Sequence, residues 1–275
     1  MATSQPGPAY EPPYPSWRER KSDGGVVIAP HARRLFWPLD GEYPAAISVM
    51  RTVHSANELK PFFQPAAEDM ASVTWHEIAH LPLTEPKVSS IDASIHDFHQ
   101  WEVDWVRRHS EHTGLECNPE WVTYGDLNDE DRPYANEPKE DGSWEEDSDT
   151  EFLLRCCGED RPMRKRELKL TVTPSAGNDF VTVHDYVSVV HPWLMSLRDD
   201  IMKAKQVAQF QMYPVPAAKE WMVEQGPYHD ILEKESWVQR YGGGPPRQLS
   251  ASSQAFLEKI LTTAYTRQVY PSKGA

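Results

Sequence analysis

The fold is decided by residues 182–201, which read TVHDYVSVVHPWLMSLRDDI. Thr182 and Asp185 have the spacing of a capping box, in which two side chains accept the unpaired backbone N–H groups at the start of a helix. The apolar residues that follow recur every three or four positions and predict a helix with one buried face: Tyr186, Val187, Val190, Leu194, Leu197 and Ile201. Because Pro192 lies inside this pattern, we expect a kink or two abutting helices with Pro192 in the first turn of the second.

A helix with one apolar face needs a sheet to cover. Three segments alternate apolar and polar residues, as half-buried strands do, and they are centred on Ile91/Ala93/Ile95, Trp101/Val103/Trp105 and Leu168/Leu170/Val172. This pattern predicts one sheet with an apolar and a charged face, and it points Glu102 at solvent. The predicted fold class is α+β, a mixed or antiparallel sheet with helices packed on one face.

The rest of the chain divides by composition. Residues 1–24 are rich in proline and predict a disordered tail, and residues 25–275 predict a single α+β domain. A long acidic insertion at 116–160 interrupts the domain and is expected to be flexible, since it far exceeds an ordinary loop. Residues 242–246 predict a loop, and a last helix is expected from Ser252 or Ser253.

The net charge of −14 is concentrated in this insertion. From Glu116 to Glu151 there are fourteen acidic and two basic residues, so the segment carries −12 and the rest of the chain −2. This distribution argues against a nucleic-acid partner, which requires a concentrated basic surface. A protein partner is expected instead, through the Pro-rich tail or the acidic tract.

Composition also bears on compartment. There is no run of about 18 apolar residues to span a membrane, and residues 1–15 lack the apolar stretch of a signal peptide. The three cysteines have no C-x-x-C spacing, so they indicate neither a disulfide framework nor a zinc ribbon. Cys156 and Cys157 are interpreted as two ordinary thiols, with a redox pair as the alternative. These features favour a cytoplasmic or nuclear protein.

Three short motifs stand out along the chain: T-V-H-D-Y-V-x-x-V-H-x-x-L at 182–194, Trp75 with L-P-L-T-E-P at 81–86, and W-E-V at 101–103. Together they resemble a large fungal family whose domain is catalogued only as of unknown function. The resemblance covers residues 70 to 200 with the acidic segment interrupting it. Leu83 stands where the family tends to have Ala, and Tyr186-Val187 replaces Val-Leu. The resemblance implies a compact α+β domain and no assigned chemistry.

One motif has the form of a catalytic site. His76-Glu77-x-x-His80 is the zincin signature, in which His76 and His80 would bind Zn²⁺ from one face of a helix and Glu77 would be the general base. A helix over 66–80 fits the apolar pattern, with Glu102 as a conceivable third ligand. However, Pro82 is expected to end that helix near His80, and the family resemblance implies extended chain from Trp75 to Pro86. We therefore interpret the motif as a coincidence of composition.

Four other histidines form two pairs at helical spacing. His96-x-x-His99 and His109-x-x-His112 could chelate a metal from a helix, but beside charged segments we interpret them as surface histidines. His184 and His191 are expected to be structural residues of the long helix. The sequence contains no nucleophile elbow and no dinucleotide-binding glycine pattern.

These observations favour a non-enzymatic interaction or scaffold domain without a cofactor. A zinc-dependent hydrolase using His76, His80 and Glu77 is one alternative. A small-molecule-binding domain, with its pocket between the sheet and the 183–201 helix, is another.

Overall fold

The computed structural model describes residues 13–23, 25–65, 73–112, 117–128, 130–134, 151–208 and 219–241. The expected loop at 242–246 and the expected last helix from 252 lie outside these residues. The α-helices of the described chain are α1 (Trp17–Ser22), α2 (His96–His109), α3 (Val183–Ser196), α4 (Arg198–Ala208) and α5 (Lys234–Tyr241).

The strands are short and form several small sheets. In chain order they are β1 (Val27–Ile28), β2 (Leu35–Phe36), β3 (Ser48–Met50), β4 (Leu59–Pro61), β5 (Phe63–Gln64), β6 (Thr74–Trp75), β7 (Thr84–Glu85), β8 (Ile91–Ile95), β9 (Glu120–Thr123), β10 (Glu151–Cys156), β11 (Glu159–Asp160), β12 (Lys169–Val172), β13 (Trp221–Val223), β14 (Tyr228–His229) and β15 (Ile231–Glu233). The predicted α+β class is confirmed.

The sheet at the centre has the order β12-β8-β14. β12 runs antiparallel to β8, with Val172 opposite Ile91, and β14 runs parallel to β8. Ile91, Ala93 and Ile95 are buried in the main core, as the alternating pattern predicts. Two of the three predicted strands therefore form and pair with each other.

Helix α3 covers this core as the sequence predicts. Thr182 Oγ1 accepts the backbone N–H of Asp185 at 3.0 Å, and the Asp185 carboxylate accepts that of Thr182 at 2.9 Å, completing the capping box. The predicted break is misplaced, however. Pro192 stays inside α3, and the chain leaves helical geometry at Leu197, where φ is −103° and ψ is 6° before α4 begins.

The strand predicted at Trp101–Trp105 is wrong, because these residues belong to α2. Phe98, Trp101 and Trp105 are spaced three and four apart and bury one helix face, while Val103 is 57% exposed. The alternation of 101, 103 and 105 fitted both periods, and packing of α2 against α4 decides for the helix. The prediction that Glu102 faces solvent is wrong as well. Its carboxylate is buried and lies 2.9 Å from the guanidinium of Arg161.

Two segments expected to lack structure contain ordered elements. Within the predicted tail, α1 begins with a capping box of Ser16 and Glu19, and the Trp17 N–H donates to the Ser90 carbonyl. Within the predicted insertion, β9, β10 and β11 form an antiparallel sheet, and Leu127 and Phe152 pack with Met163, just beyond the insertion, in a small second core. Of the helices in the described part, none is long and apolar enough to cross a membrane.

Two buried histidines form hydrogen bonds inside the core as uncharged imidazole rings. The Trp37 indole N–H donates to His191 Nδ1 at 2.9 Å, and His191 Nε2 donates to the Gly41 carbonyl at 2.8 Å. His229 Nδ1 lies 2.9 Å from the Glu224 carbonyl, and its Nε2 lies 2.9 Å from the Tyr186 hydroxyl. Burial lowers the pKa of His191, and it lowers the pKa of His229 to about 4. Both rings are therefore neutral near pH 7.

Candidate metal centre

Two distant parts of the chain meet beside the end of α2. His109 is the last residue of α2, and His112 follows one turn later. Cys156 ends β10, and Cys157 begins the tight turn into β11. That turn is made by Cys157 at φ 54° and Gly158 at φ 80°, so that a non-glycine residue occupies the left-handed region next to the cluster. Such a conformation requires support from its surroundings.

The four side chains converge on one point. His109 Nδ1 and His112 Nδ1 are 3.3 Å apart, and the sulfurs of Cys156 and Cys157 are 3.8 Å apart. His112 Nδ1 lies 3.6 Å from Cys156 Sγ and 3.3 Å from Cys157 Sγ. All four ligand atoms lie within 4.8 Å of one another.

These separations match a tetrahedral zinc site. Zinc bonds of about 2.3 Å to sulfur and about 2.0 Å to nitrogen place two sulfurs about 3.8 Å apart, sulfur and nitrogen about 3.5 Å apart, and two nitrogens about 3.3 Å apart. Two thiolates and two imidazoles are a common structural zinc set. The residues therefore fit a zinc ion, with both histidines binding through Nδ1.

The surroundings of the cluster agree with a metal centre. Cys156 is fully buried and His109 is 2% exposed, which shows that the interpretation of His109 as a surface residue is wrong. Burial lowers the pKa of His109 and raises the pKa of the Cys157 thiol. The His109 ring and the Cys157 thiol are therefore both neutral at pH 7 without a metal, and a bound divalent cation would displace the Cys157 thiol proton.

A carboxylate and an indole ring lie beside His109. Its Nε2 is 3.6 Å from Glu159 Oε2, which is within ion-pair distance but longer than a hydrogen bond. The His109 ring packs at a tilt of 38° against Trp105, with ring centroids 4.5 Å apart. Glu159 is therefore the carboxylate nearest to the ring nitrogen that a metal bound at Nδ1 would leave unused.

Cys117 lies beside the four donors. Its carbonyl accepts the Cys157 backbone N–H at 2.7 Å and is 3.7 Å from Cys156 Sγ. Hydrogen bonding from the Cys117 side chain lowers the pKa of the Cys157 thiol, though burial raises that pKa by more. All three cysteines thus gather at this centre, and no disulfide joins them.

The zincin motif does not form a comparable site. His76 has extended backbone and precedes a 3-10 helix at Glu77–His80, where residues four apart point about 120° away from each other. His76 Nδ1 accepts the Ile78 N–H, and the Glu77 side chain is 78% exposed beside Arg34. Neither histidine joins a set of three metal-binding donors among the residues described, so the geometry needed for the hydrolase alternative is not met.

A second group of donors is already neutralised from within. His96, Asp97 and Asp230 lie close together, but the Lys205 ammonium is 2.7 Å from the Asp97 carboxylate and 3.6 Å from that of Asp230. An ammonium between two carboxylates supplies the charge that a metal would bring. We assign this group to an internal ion-pair network.

Both halves of the metal centre are visible in the sequence, but each half alone favours an ordinary role: surface histidines in one case and ordinary thiols in the other. His109-x-x-His112 and Cys156-Cys157 are weak signals separately, and 44 residues separate His112 from Cys156. The two pairs would have been informative only in combination, because a closely spaced pair of nitrogen donors and a closely spaced pair of sulfur donors together make a complete zinc ligand set. Neither a protein-family model, nor a curated protein, nor a solved structure matches the chain.

Proposed function

We propose that this chain is a non-enzymatic interaction domain stabilised by one structural zinc ion, bound by His109, His112, Cys156 and Cys157. The observation that carries the proposal is that four distances between donor atoms, from 3.3 to 3.8 Å, agree with those in a tetrahedral zinc site. When bound, the ion would supply a cross-link and no chemistry. The expectation that the chain needs no cofactor is replaced by this proposal.

A structural role is favoured because the four protein donors complete the coordination sphere. Catalytic zinc keeps a position open for water or substrate, whereas a four-donor thiolate-imidazole set leaves none. Buried Cys156 and His109 also exclude solvent from one side of the site. These features support a scaffold function over hydrolysis.

The position of the centre suggests what the scaffold presents. His112 precedes the acidic tract and Cys156 follows it, 44 positions later. A bound ion would therefore close this loop and fix both of its ends beside α2. The buried pair of Arg161 and Glu102 attaches the same hairpin to α2. We propose that the acidic tract so anchored is the surface that a basic protein partner recognises.

Two further parts of the proposal follow from the sequence. Reduced thiols at the centre fit a cytoplasmic or nuclear compartment, where cysteines stay reduced. We also propose that the chain belongs to the fungal family that residues 70 to 200 resemble. Other members that have both the histidine pair and the cysteine pair would then bind zinc in the same way.

Metal analysis tests the proposal directly. Purified chain, loaded with zinc and passed through a desalting column, is expected to retain one zinc per chain. Cys156→Ser and His112→Ala should each lose it, because three donors no longer complete the site. The matched control is the double variant His76→Ala/His80→Ala, which removes two histidines from the zincin motif and should keep full zinc content. Zinc lost from the control and kept in Cys156→Ser would refute the assignment.

The interaction is tested separately from the metal. Replacing Glu145, Glu146, Asp147 and Asp149 by their amides should leave the zinc content unchanged and weaken salt-sensitive binding to a polylysine peptide, because the charge of the tract falls from −12 to −8. Binding of unchanged affinity and salt dependence would remove the acidic tract from the proposal.

A further inference from the structure

We infer that the metal centre is also a peroxide-sensitive switch, in which Cys157 is oxidised and Cys117 closes a disulfide onto it. The inference rests on the proposed zinc site and adds a regulatory state to it. Three cysteines meet at the centre, but only two of them complete the tetrahedral set with the histidines. The third, Cys117, is placed to react with a ligand.

Exposure selects the thiolate that is oxidised. Cys157 is exposed, whereas Cys156 is fully buried and Cys117 is intermediate. A small hydroperoxide such as hydrogen peroxide must reach the sulfur to react, so it meets Cys157 first. Cys157 is exposed at this turn, and its sulfur still lies 3.3 Å from His112 Nδ1.

Geometry selects the partner of that sulfur. Cys156 and Cys157 are joined by a trans peptide, so their Cα atoms are about 3.8 Å apart, below the roughly 4.4–6.8 Å that a disulfide spans. Cys117 and Cys157 are joined by a backbone N–H···O=C bond of 2.7 Å. This bond holds the two residues side by side, and because they are not adjacent in sequence their Cα atoms are not confined to the roughly 3.8 Å that prevents a disulfide between Cys156 and Cys157.

The reaction balances with peroxide as the oxidant. The Cys157 thiolate attacks one peroxide oxygen, the O–O bond breaks, and Cys157 becomes a sulfenic acid while hydroxide leaves. The Cys117 sulfur then attacks the Cys157 sulfur, forming the S–S bond and expelling the sulfenic oxygen as water. In total two thiols lose two electrons, and peroxide is reduced to two waters.

The disulfide removes one ligand from the metal. Cys156, His109 and His112 remain, and a set of three donors without the Cys157 thiolate holds zinc more weakly. Oxidation would therefore release zinc, and the acidic tract would lose its metal-mediated link to the end of α2. A thiol reductant would restore both thiols and the site.

The experiment treats the zinc-loaded full chain with one to five equivalents of hydrogen peroxide. Zinc release is followed with a colorimetric chelator, and the cross-linked peptides are mapped by mass spectrometry. We expect the loss of one zinc per chain, a disulfide between Cys117 and Cys157, and recovery of both thiols and zinc binding after dithiothreitol. Cys117→Ser should bind zinc normally before treatment, form no disulfide, and stop at a Cys157 sulfenic acid that dimedone traps.

The outcomes separate the two proposals. If untreated chain retains no zinc, the proposed function fails, and mapping of the disulfide in the metal-free chain still tests the pairing. If zinc is retained but peroxide joins Cys156 to Cys157, or oxidises Cys157 with no bond to Cys117, the switch is refuted and the zinc site stands.

Discussion

The buried ring of His229 makes a quantitative prediction about acid stability. His229 is fully buried, and burial lowers its pKa from 6.5 to about 4. Above pH 6.5 the ring is neutral in both the folded and the unfolded chain, so it has no effect on the pH dependence. As the pH falls from 6.5 to 4, the unfolded chain binds a proton that the folded chain does not, and stability is lost.

The expected loss can be calculated from these two values. Between pH 7.5 and pH 4.5, proton uptake at this one residue favours unfolding by about 2.5 kcal/mol, since each unit of pKa difference corresponds to about 1.4 kcal/mol. In His229→Gln the amide keeps a polar group that can donate a hydrogen bond at this position, but it does not titrate. The pH-dependent loss in this variant should be smaller than in the wild type by the same amount.

Urea unfolding followed by circular dichroism measures the effect. The free energy of unfolding is determined at both pH values for the wild type, for His229→Gln and for a control, His54→Gln, which changes an exposed turn histidine. All three are kept in chelator so that zinc loss at low pH does not contribute. Equal losses in the wild type and His229→Gln, within about 0.5 kcal/mol, would refute the neutral buried ring.

Three further perturbations test other parts of the structure. Glu102→Ala leaves the Arg161 guanidinium buried without its carboxylate and should lower the free energy of unfolding by about 3–5 kcal/mol. The double variant Glu102→Leu/Arg161→Met should restore most of this loss, and a loss below about 1 kcal/mol in Glu102→Ala would contradict the buried pair. Thr182→Ala removes the cap of α3 and should cost about 1 kcal/mol in the same urea assay, and no change would mean that the capping box is not needed. A zinc chelator should lower the melting temperature of the wild type but not of Cys156→Ser, measured by differential scanning fluorimetry, and equal shifts would argue against this metal centre.

Elements specified by neighbouring residues could be predicted from the sequence. The Thr182–Asp185 capping box, the apolar face of α3 and the alternation of Ile91–Ile95 depend on contacts within a few positions, and all three were confirmed. For the segment Trp101–Trp105, the local pattern does not decide between a helix and a strand. Its aromatic residues satisfied both periods, and only the packing of α2 against α4 distinguished a helix from a strand.

The metal centre depends on tertiary structure even more than the helix at Trp101–Trp105 does. The sequence by itself determined the donors, a histidine pair at helical spacing and two adjacent thiols, but each pair alone has too few ligands to hold a zinc ion. Only the tertiary structure decided that they meet, because the pairing of β9 with β10 and the turn at Cys157 bring Cys156 back to the end of α2. Coordination depends on donors lying a few ångströms apart in space, and for residues 44 positions apart that distance is set by the fold.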